Sequence, residues 1–490
     1  MKKNRVTNKT DVSENKELSI WEALIPMFFL IPLLYYNVAV YGGDSLDGSN
    51  QFVLLLGAAV AAVVGVLNKV KLDKIINTIA KNIKSTAGAI LILLLVGALT
   101  GSWMMSGVIP TMIYYGMQIL SPSIFLASCV IICCIISVTT GSSWTTSATV
   151  GVALIGIAQA LDISVAMTAG AVVSGAYFGD KISPISDTTN LAAAVTGTDL
   201  FVHIKYLMIT TVPTIIITII VFTIIGLNFD TSQAVNTDEM AGAIKEIFNI
   251  SPWLFLVPGV VLFLIIKRTS PLVALLVGAL LGGVAALIFQ PQIVTSIAGA
   301  DTLTFKSAYQ GVMDMLTVGT SVTTDNEILN ELFSAGGMSG MLNTVFLILC
   351  AMAFGGAMEA IGALHTITKS LLKLFKTAFG LFASTVISCL ALNATASDQY
   401  LAIVVPGKMF GKAFKDKGLA SENLSRTLED AGTVTSILVP WNTCGAYQSK
   451  VLGVDVLAFL PYAIFNWLSP FMTLIVAGLG IKIRQIQGKI

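Results

Sequence analysis

The sequence predicts an all-α polytopic membrane protein made of two inverted-topology repeats, with re-entrant hairpins and discontinuous helices. Three observations carry this. Of 490 residues, 55% are hydrophobic and only 11% are charged, where a soluble domain carries about 25% charged residues. Apolar runs long enough to span a bilayer recur along the whole chain. Two polar, proline-centred stretches interrupt such runs: G-D-K-I-S-P-I-S-D-T-T-N at 179–190 and L-V-P-W-N-T-C-G at 438–445.

Taken in order, residues 1–19 are polar and mixed in charge, and the run at 20–41 lacks a small-residue cleavage site, so it reads as a retained first helix. Further spans are expected at 52–67, 88–109 and 206–227, then at 253–266, 271–289, 342–364 and 457–481. Between them lie two paired apolar runs, 122–161 and 377–410, each interrupted by a polar tip, T-T-G-S-S-W-T-T-S at 139–147 and N-A-T-A-S-D at 393–398. Each pair is either a re-entrant hairpin or two full spans. Proline removes a backbone donor and biases the preceding residue away from helix, so a helix entering the first break stops near Ser183, and Ser186 or Asp187 caps the next piece. Pro440 marks the equivalent break in the second half.

Loop charges give the orientation. Lys2, Lys3 and Arg5, then Lys69, Lys71, Lys74, Lys81 and Lys84, then Lys267 and Arg268 fall on one set of loops. Lys369, Lys373 and Lys376, then Lys412, Lys415 and Lys417, then Lys482, Arg484 and Lys489 continue that set. The intervening loops carry Asp44, Asp47, Asp230, Asp238, Glu239, Asp301, Asp314, Asp325, Glu327 and Glu331. By the positive-inside rule the basic loops and both termini are cytoplasmic, provided each paired run returns to its side and each proline-broken stretch crosses once. The halves then enter from opposite sides. The expected division is a cytoplasmic segment 1–19, a first repeat 20–227, an extracellular linker 228–252, a second repeat 253–481 and a cytoplasmic tail 482–490. An offset of 256, the separation of Pro440 from Pro184, also pairs Thr139 with Thr395, Gly197 with Gly453, Asp199 with Asp455 and Tyr206 with Tyr462.

A helix broken at membrane depth is tolerated where it lines a cavity, which is the architecture of a transport site. The candidate ligands are Ser186, Asp187, Thr188, Thr189 and Asn190 at the first break, with Asn442 and Thr443 at the second. The tips add Thr140, Ser142 and Ser143 on one side and Asn393, Thr395 and Asp398 on the other. An intramembrane carboxylate costs about 2.5–3.5 kcal/mol at a helix centre, so each one is a functional candidate. Asp187, at the break, is expected to be the exchanging carboxylate that Na⁺ and H⁺ occupy in turn, and the metal site in that sense. Asp180, beside Lys181, lines the site or an interface. Glu359, in G-G-A-M-E-A-I-G, sits on a helix able to pack closely on the site. Glu429 and Asp430 are intramembrane carboxylate candidates or, alternatively, caps of a cytoplasmic helix end; Asp199 and Asp455 read as N-caps, and His203 with Lys205 as an interface pair. The six cysteines lie in or beside apolar spans without zinc-finger spacing and read as small buried hydrophobes.

The run G-D-K-I-S-P-I-S-D-T-T-N-L-A-A-A-V-T-G-T-D-L-F-V-H-I at 179–204, together with W-E-A-L-I-P at 21–26 and G-S-S-W-T-T-S-A-T-V-G at 141–151, resembles the NhaC family of bacterial Na⁺/H⁺ antiporters within the ion transporter superfamily. The resemblance implies the inverted-repeat fold, Na⁺ and H⁺ as transported ions with no cofactor, and a multi-pass protein of the bacterial cytoplasmic membrane. Members similar to malate/lactate exchangers leave open a small carboxylate or amino acid as cargo. The leading expectation is therefore a Na⁺/H⁺ antiporter, and the alternative is a Na⁺- or H⁺-coupled carrier of a small organic anion or amino acid. The absence of arginine from the expected spans disfavours a dicarboxylate. No H-E-x-x-H or G-x-x-x-x-G-K-[ST] motif points to a hydrolase or ATP drive, and a net charge of +1 without a basic arm gives no reason to expect nucleic acid. The partners are the two ions and the bilayer, with the oligomeric state, a homodimer included, left open.

Overall fold

The computed structural model describes residues 17–41, 45, 48–229, 237–322, 330, 333–374 and 377–486. Lys2, Lys3, Arg5, Asp44, Asp47, Asp230, Asp325, Glu327, Glu331, Lys376 and Lys489 lie outside them, as do the side chains of Asp238 and Glu239. Eight helices among the described residues are long and apolar enough to cross a membrane, and two bent pairs pass the same test together. The helices Ile20–Tyr41, Ser49–Leu67, Ala87–Met105 and Pro271–Phe289 fall on expected spans. The last span is not one rod: Val456–Tyr462 and Ile464–Gly478 meet at 55°, with Pro461 at the bend. Short helices absent from the sequence reading, Leu72–Ser85, Phe305–Thr317 and Ala363–Leu374, are amphipathic and link the spans.

The repeat is visible in the backbone. At an offset of 256 the left-handed residues coincide: Gly141 (φ 66°) with Ser397 (φ 57°), Asp162 (φ 53°) with Gly418 (φ 73°), and Gly197 (φ 68°) with Gly453 (φ 67°). Helix caps coincide as well. Ser142 and Asp398 each accept a bond from the backbone N–H three residues on, and Ser186 and Asn442 each cap the half-helix after a break. At an offset of 255, Ala87–Met105 matches Leu342–Ala360 and Val108–Ile119 matches Ala363–Leu374. Asp199 caps Leu200–Leu227 through the Phe201 and Val202 N–H groups, whereas Asp455 occupies the cap position of Val456–Phe459 without a side-chain bond.

Several segments distant in sequence meet at one end of the helices. Lys369 pairs with Glu17 at 2.9 Å, Thr198 bonds Ser421 at 2.9 Å, and Leu419 bridges to Gln485. Asn249 and Gln290, between the other ends of the spans, exchange hydrogen bonds of 3.0 and 3.1 Å. All six cysteines are free and buried.

Candidate functional site

The first break forms as proline dictates. The helix Val165–Ile182 ends with Ser183 extended, and Ser186 caps Asp187–Thr196 by accepting the Thr189 N–H. The carbonyls freed at the break are met locally: the Thr189 hydroxyl donates to the Asp180 and Lys181 carbonyls at 3.2 and 2.9 Å, and the Asn190 amide donates to those of Pro184 and Ser186 at 3.0 and 2.6 Å. Thr188 is buried, its hydroxyl 3.1 Å from that of Ser186.

Onto this break packs the first tip, between Pro122–Thr140 and Ser143–Thr146. At Gly141 a Cβ would lie 3.0 Å from the Ile185 carbonyl carbon and 3.1 Å from the Ser186 nitrogen, so glycine is needed for the approach as well as for its positive φ. Most tip hydroxyls are spent inside the tip. Ser142 caps its helix, Thr140 and Thr146 lie 3.4 Å apart, and Thr145 donates to Ser142. Ser143 instead reaches across, its N–H and hydroxyl donating to Asp180 Oδ2 at 3.2 and 2.6 Å, while the Ser186 hydroxyl donates to Oδ1 at 2.7 Å.

Asp180 is therefore the buried carboxylate of the first break, 5% exposed. Asp187, expected in that place, is exposed; it holds the Thr188 N–H at 2.9 Å and accepts a bond from the Tyr400 hydroxyl. The physical reason is position: Asp187 opens a new helix and points off its first turn, whereas Asp180 lies on the last turn of a helix covered by the tip.

The second break is a lattice of amides. Asn442 caps Thr443–Leu452 and donates to the Asn393 carbonyl at 3.0 Å. Asn393 donates to the Gly432 carbonyl at 2.8 Å and to Thr435 at 3.0 Å, and the Thr443 N–H reaches the Ser397 carbonyl at 3.0 Å. Thr395 bonds its own helix at Ala391, and Asp398 is used as the cap of Gln399–Asp416, accepting the Leu401 N–H at 2.9 Å. Glu359 is half-buried, with Oε2 unpartnered, on the helix whose Gly355 presses against the Ala396 carbonyl. Pro440 and Trp441 line a cavity of ≈ 890 Å³ with Asn50, Thr344, Ser449 and Lys450.

The Na⁺/H⁺ antiporter family model matches residues 116–189 and 175–481. The Na⁺/H⁺ antiporter NhaC of Alkalihalophilus pseudofirmus is 39% identical over 89% of this chain and 91% of its own. The chain belongs to the Na⁺/H⁺ antiporter family. Two further relatives of this antiporter-family chain differ in their names. The malate-2H⁺/Na⁺-lactate antiporter of Bacillus subtilis is 35% identical over 86% of this chain and 87% of its own. The arginine/ornithine antiporter ArcD of Halobacterium salinarum is 32% identical over 96% and 94%.

Sequence reasoning named Glu429 and Asp430 among its candidates but missed the pairing of Lys181 and the burial of Arg426 in this antiporter-family fold. Lys181 forms a fully buried ion pair with Asp430, whose carboxylate also accepts bonds from Thr210, at 3.2 Å, and Thr473. Glu429 and Asp430 do not cap a cytoplasmic end; they lie fully buried in a π-turn, Glu429–Thr433, that continues the helix Ser421–Leu428. Arg426, on that helix, is also fully buried, with its guanidinium 4.7 Å from the Tyr206 ring. Arg426 lies outside the expected spans, and the fold nonetheless buries this one guanidinium close to the second break. His203 is buried and bonds Ser425 at 2.7 Å rather than pairing with Lys205 at an interface. The one available signal was topological: the charge pattern asks the stretch around Pro440 to cross once, and a crossing stretch that carries R-T-L-E-D would have to bury those groups.

Proposed function

We propose that this chain is a secondary transporter exchanging Na⁺ for H⁺ by alternating access, with the cation held at Asp180 where the first tip meets the first break. The observation that carries the reading is the environment of that carboxylate. It is buried, its partners are Ser143 and Ser186, and its neighbour Lys181 is committed to Asp430. Among the described residues it makes no ion pair, so its negative charge is available to a small cation. Na⁺ favours oxygen donors, and the carboxylate, two serine hydroxyls and nearby carbonyls are that donor set. A proton and a sodium ion then exclude each other by charge, and a carrier that reorients only when filled exchanges them.

Asp187, exposed beside Tyr400, is the acidic group at the mouth of this site. The repeats run over 20–227 and 253–481 in opposite senses, joined by 228–252, with 1–19, the basic loops and 482–490 cytoplasmic. The Lys369–Glu17 pair and the Leu419–Gln485 bridge, which join basic segments distant in sequence, support that orientation.

Proton flux on adding NaCl to proteoliposomes tests the assignment. Hydrogen bonds to a charged group are worth about 1.5–3 kcal/mol, so Asp180→Asn should lower exchange by on the order of 100-fold. Asp187→Asn should raise the Na⁺ concentration for half-maximal flux and keep the maximal rate. Near-normal exchange by Asp180→Asn would overturn the reading.

A second reading, carriage of a small organic anion or amino acid, is favoured by the cavity at Pro440 and Trp441, whose volume is that of a small-molecule site. Uptake of labelled malate, lactate or arginine into the same vesicles separates the two.

A further inference from the structure

Three carboxylates and two cations are buried where the two broken helices approach: Asp180, Glu429 and Asp430 against Lys181 and Arg426. Two of the acids are accounted for, Asp430 by Lys181, Thr210 and Thr473, and Asp180 by Ser143 and Ser186. Glu429 is not. It is fully buried, and neither carboxylate oxygen meets a donor in bonding geometry. It opens the π-turn Glu429–Thr433, and such turns recur at functional sites because they widen the helix and turn a side chain off its regular register. The hydroxyl within reach is that of Thr433, itself without another partner.

The groups facing Glu429 are few. From Val165–Ile182 come Asp180 and Lys181, which interact with it electrostatically, as does Asp430 beside it. Arg426, one turn earlier, interacts with Asp430. Ala378–Thr395 contributes Cys389. Asp187, at the head of Asp187–Thr196, is exposed, as are Lys408, Lys412 and Lys415 of Gln399–Asp416. Ile464–Gly478 has no titratable side chain.

We propose that Glu429 carries the proton of the exchange, so that H⁺ on Glu429 and Na⁺ at Asp180 are alternative ways of adding one positive charge to this cluster. This deepens the reading of Asp180 as the cation site and rests on it. With every group ionised, the three acids and two bases leave one net negative charge in a low-dielectric interior, which is costly. Either a proton or a sodium ion neutralises the set, and both together leave it positive. Occupancy of one site therefore weakens the other through the field, without a shared atom, and the effect is reciprocal. The donors divide the roles. Ser143 and Ser186 stabilise an ionised Asp180, while Glu429, with only the Thr433 hydroxyl within reach and not in bonding geometry among the described residues, is least costly to bury as the neutral acid.

The test is Na⁺ binding and ²²Na⁺ counterflow across a pH series, using purified full-length protein in liposomes. Competition with one proton lowers apparent Na⁺ affinity about tenfold per pH unit on the acid side. Glu429→Gln should keep ²²Na⁺ counterflow and flatten that slope to less than about twofold per unit, with weaker Na⁺ binding throughout. Glu429→Asp should restore the slope. An unchanged slope in Glu429→Gln would overturn the proposal. Loss of counterflow in Asp180→Asn, expected in either event, checks the cation site separately; its retention would sink that site and not the titration of Glu429. Should Glu429→Gln not fold, labelling of the native protein with a hydrophobic carbodiimide, which reacts with protonated buried carboxyls, gives the second measurement. Mass spectrometry should find Glu429 modified at acidic pH and protected severalfold by Na⁺. The same extent of labelling with and without Na⁺ would overturn the proposal.

Discussion

The two broken helices share a backbone and differ in their charges. At the offset of 256, Ser143 and Asp180 fall on Gln399 and Ser436, and the contact is kept: Ser143 donates to Asp180, and Ser436 donates to Gln399 at 3.4 Å. Trp144 falls on Tyr400. Trp144 stacks on Tyr447 of the second half-helix, with centroids 3.9 Å apart, and Tyr400 bonds Asp187 of the first. Each tip therefore seats on the break of its own repeat and sends one aromatic to the half-helix of the other. The first break has a carboxylate, Asp180, at this contact; the second has Ser436 and Gln399 there, with the buried Asp398 of its tip spent on capping and further charges upstream at Arg426, Glu429 and Asp430. Duplicated geometry sets where the helices break, and unduplicated side chains decide which break buries a carboxylate between its tip and its half-helix.

That contrast can be broken in three further ways. The largest effect is expected at the buried pair that ties one crossing to the other. Lys181→Met leaves the fully buried Asp430 without its cation, which should cost about 3–5 kcal/mol in detergent unfolding. The double variant Lys181→Met with Asp430→Leu should recover much of that loss, because it removes both charges. Recovery would show that the pair sets the local charge balance more than it adds stability.

A smaller effect is expected at the second break. Asn442→Ala deletes a cap and leaves the Asn393 carbonyl without its donor, which should cost about 1–3 kcal/mol. Exchange should fall far less than in Asp180→Asn. An equal loss of exchange would mean that the second break also holds an ion.

The smallest effect compares the two tips directly. Gly141→Ala forces a side chain against Ile185 and into positive φ, so it should destabilise and impair exchange. Its counterpart Ser397→Gly relieves a left-handed residue and should stabilise by roughly 1 kcal/mol if its side chain makes no needed contact. Loss of exchange in Ser397→Gly despite retained stability would give that hydroxyl a role in the second tip.

Much of this was legible in the sequence. Composition announced the membrane, proline at 184 and 440 announced the breaks, and positive φ at 141, 197 and 453 fell on glycine, as a residue without Cβ allows. These are local constraints written into single residues, so a chain read in order reveals them. The partner of each charge was not legible. Asp187 looked the better ion ligand because it stands at a helix start, and Asp180 looked compromised by Lys181; the structure sends Lys181 to Asp430, some 249 positions away, and leaves Asp180 to the serines. Sequence fixes which groups must be buried, because a crossing helix has nowhere else to put them. Only the tertiary packing of two helices from different halves decides which buried charge meets an opposite charge, as Asp430 meets Lys181, and which meets only hydroxyls, as Asp180 does.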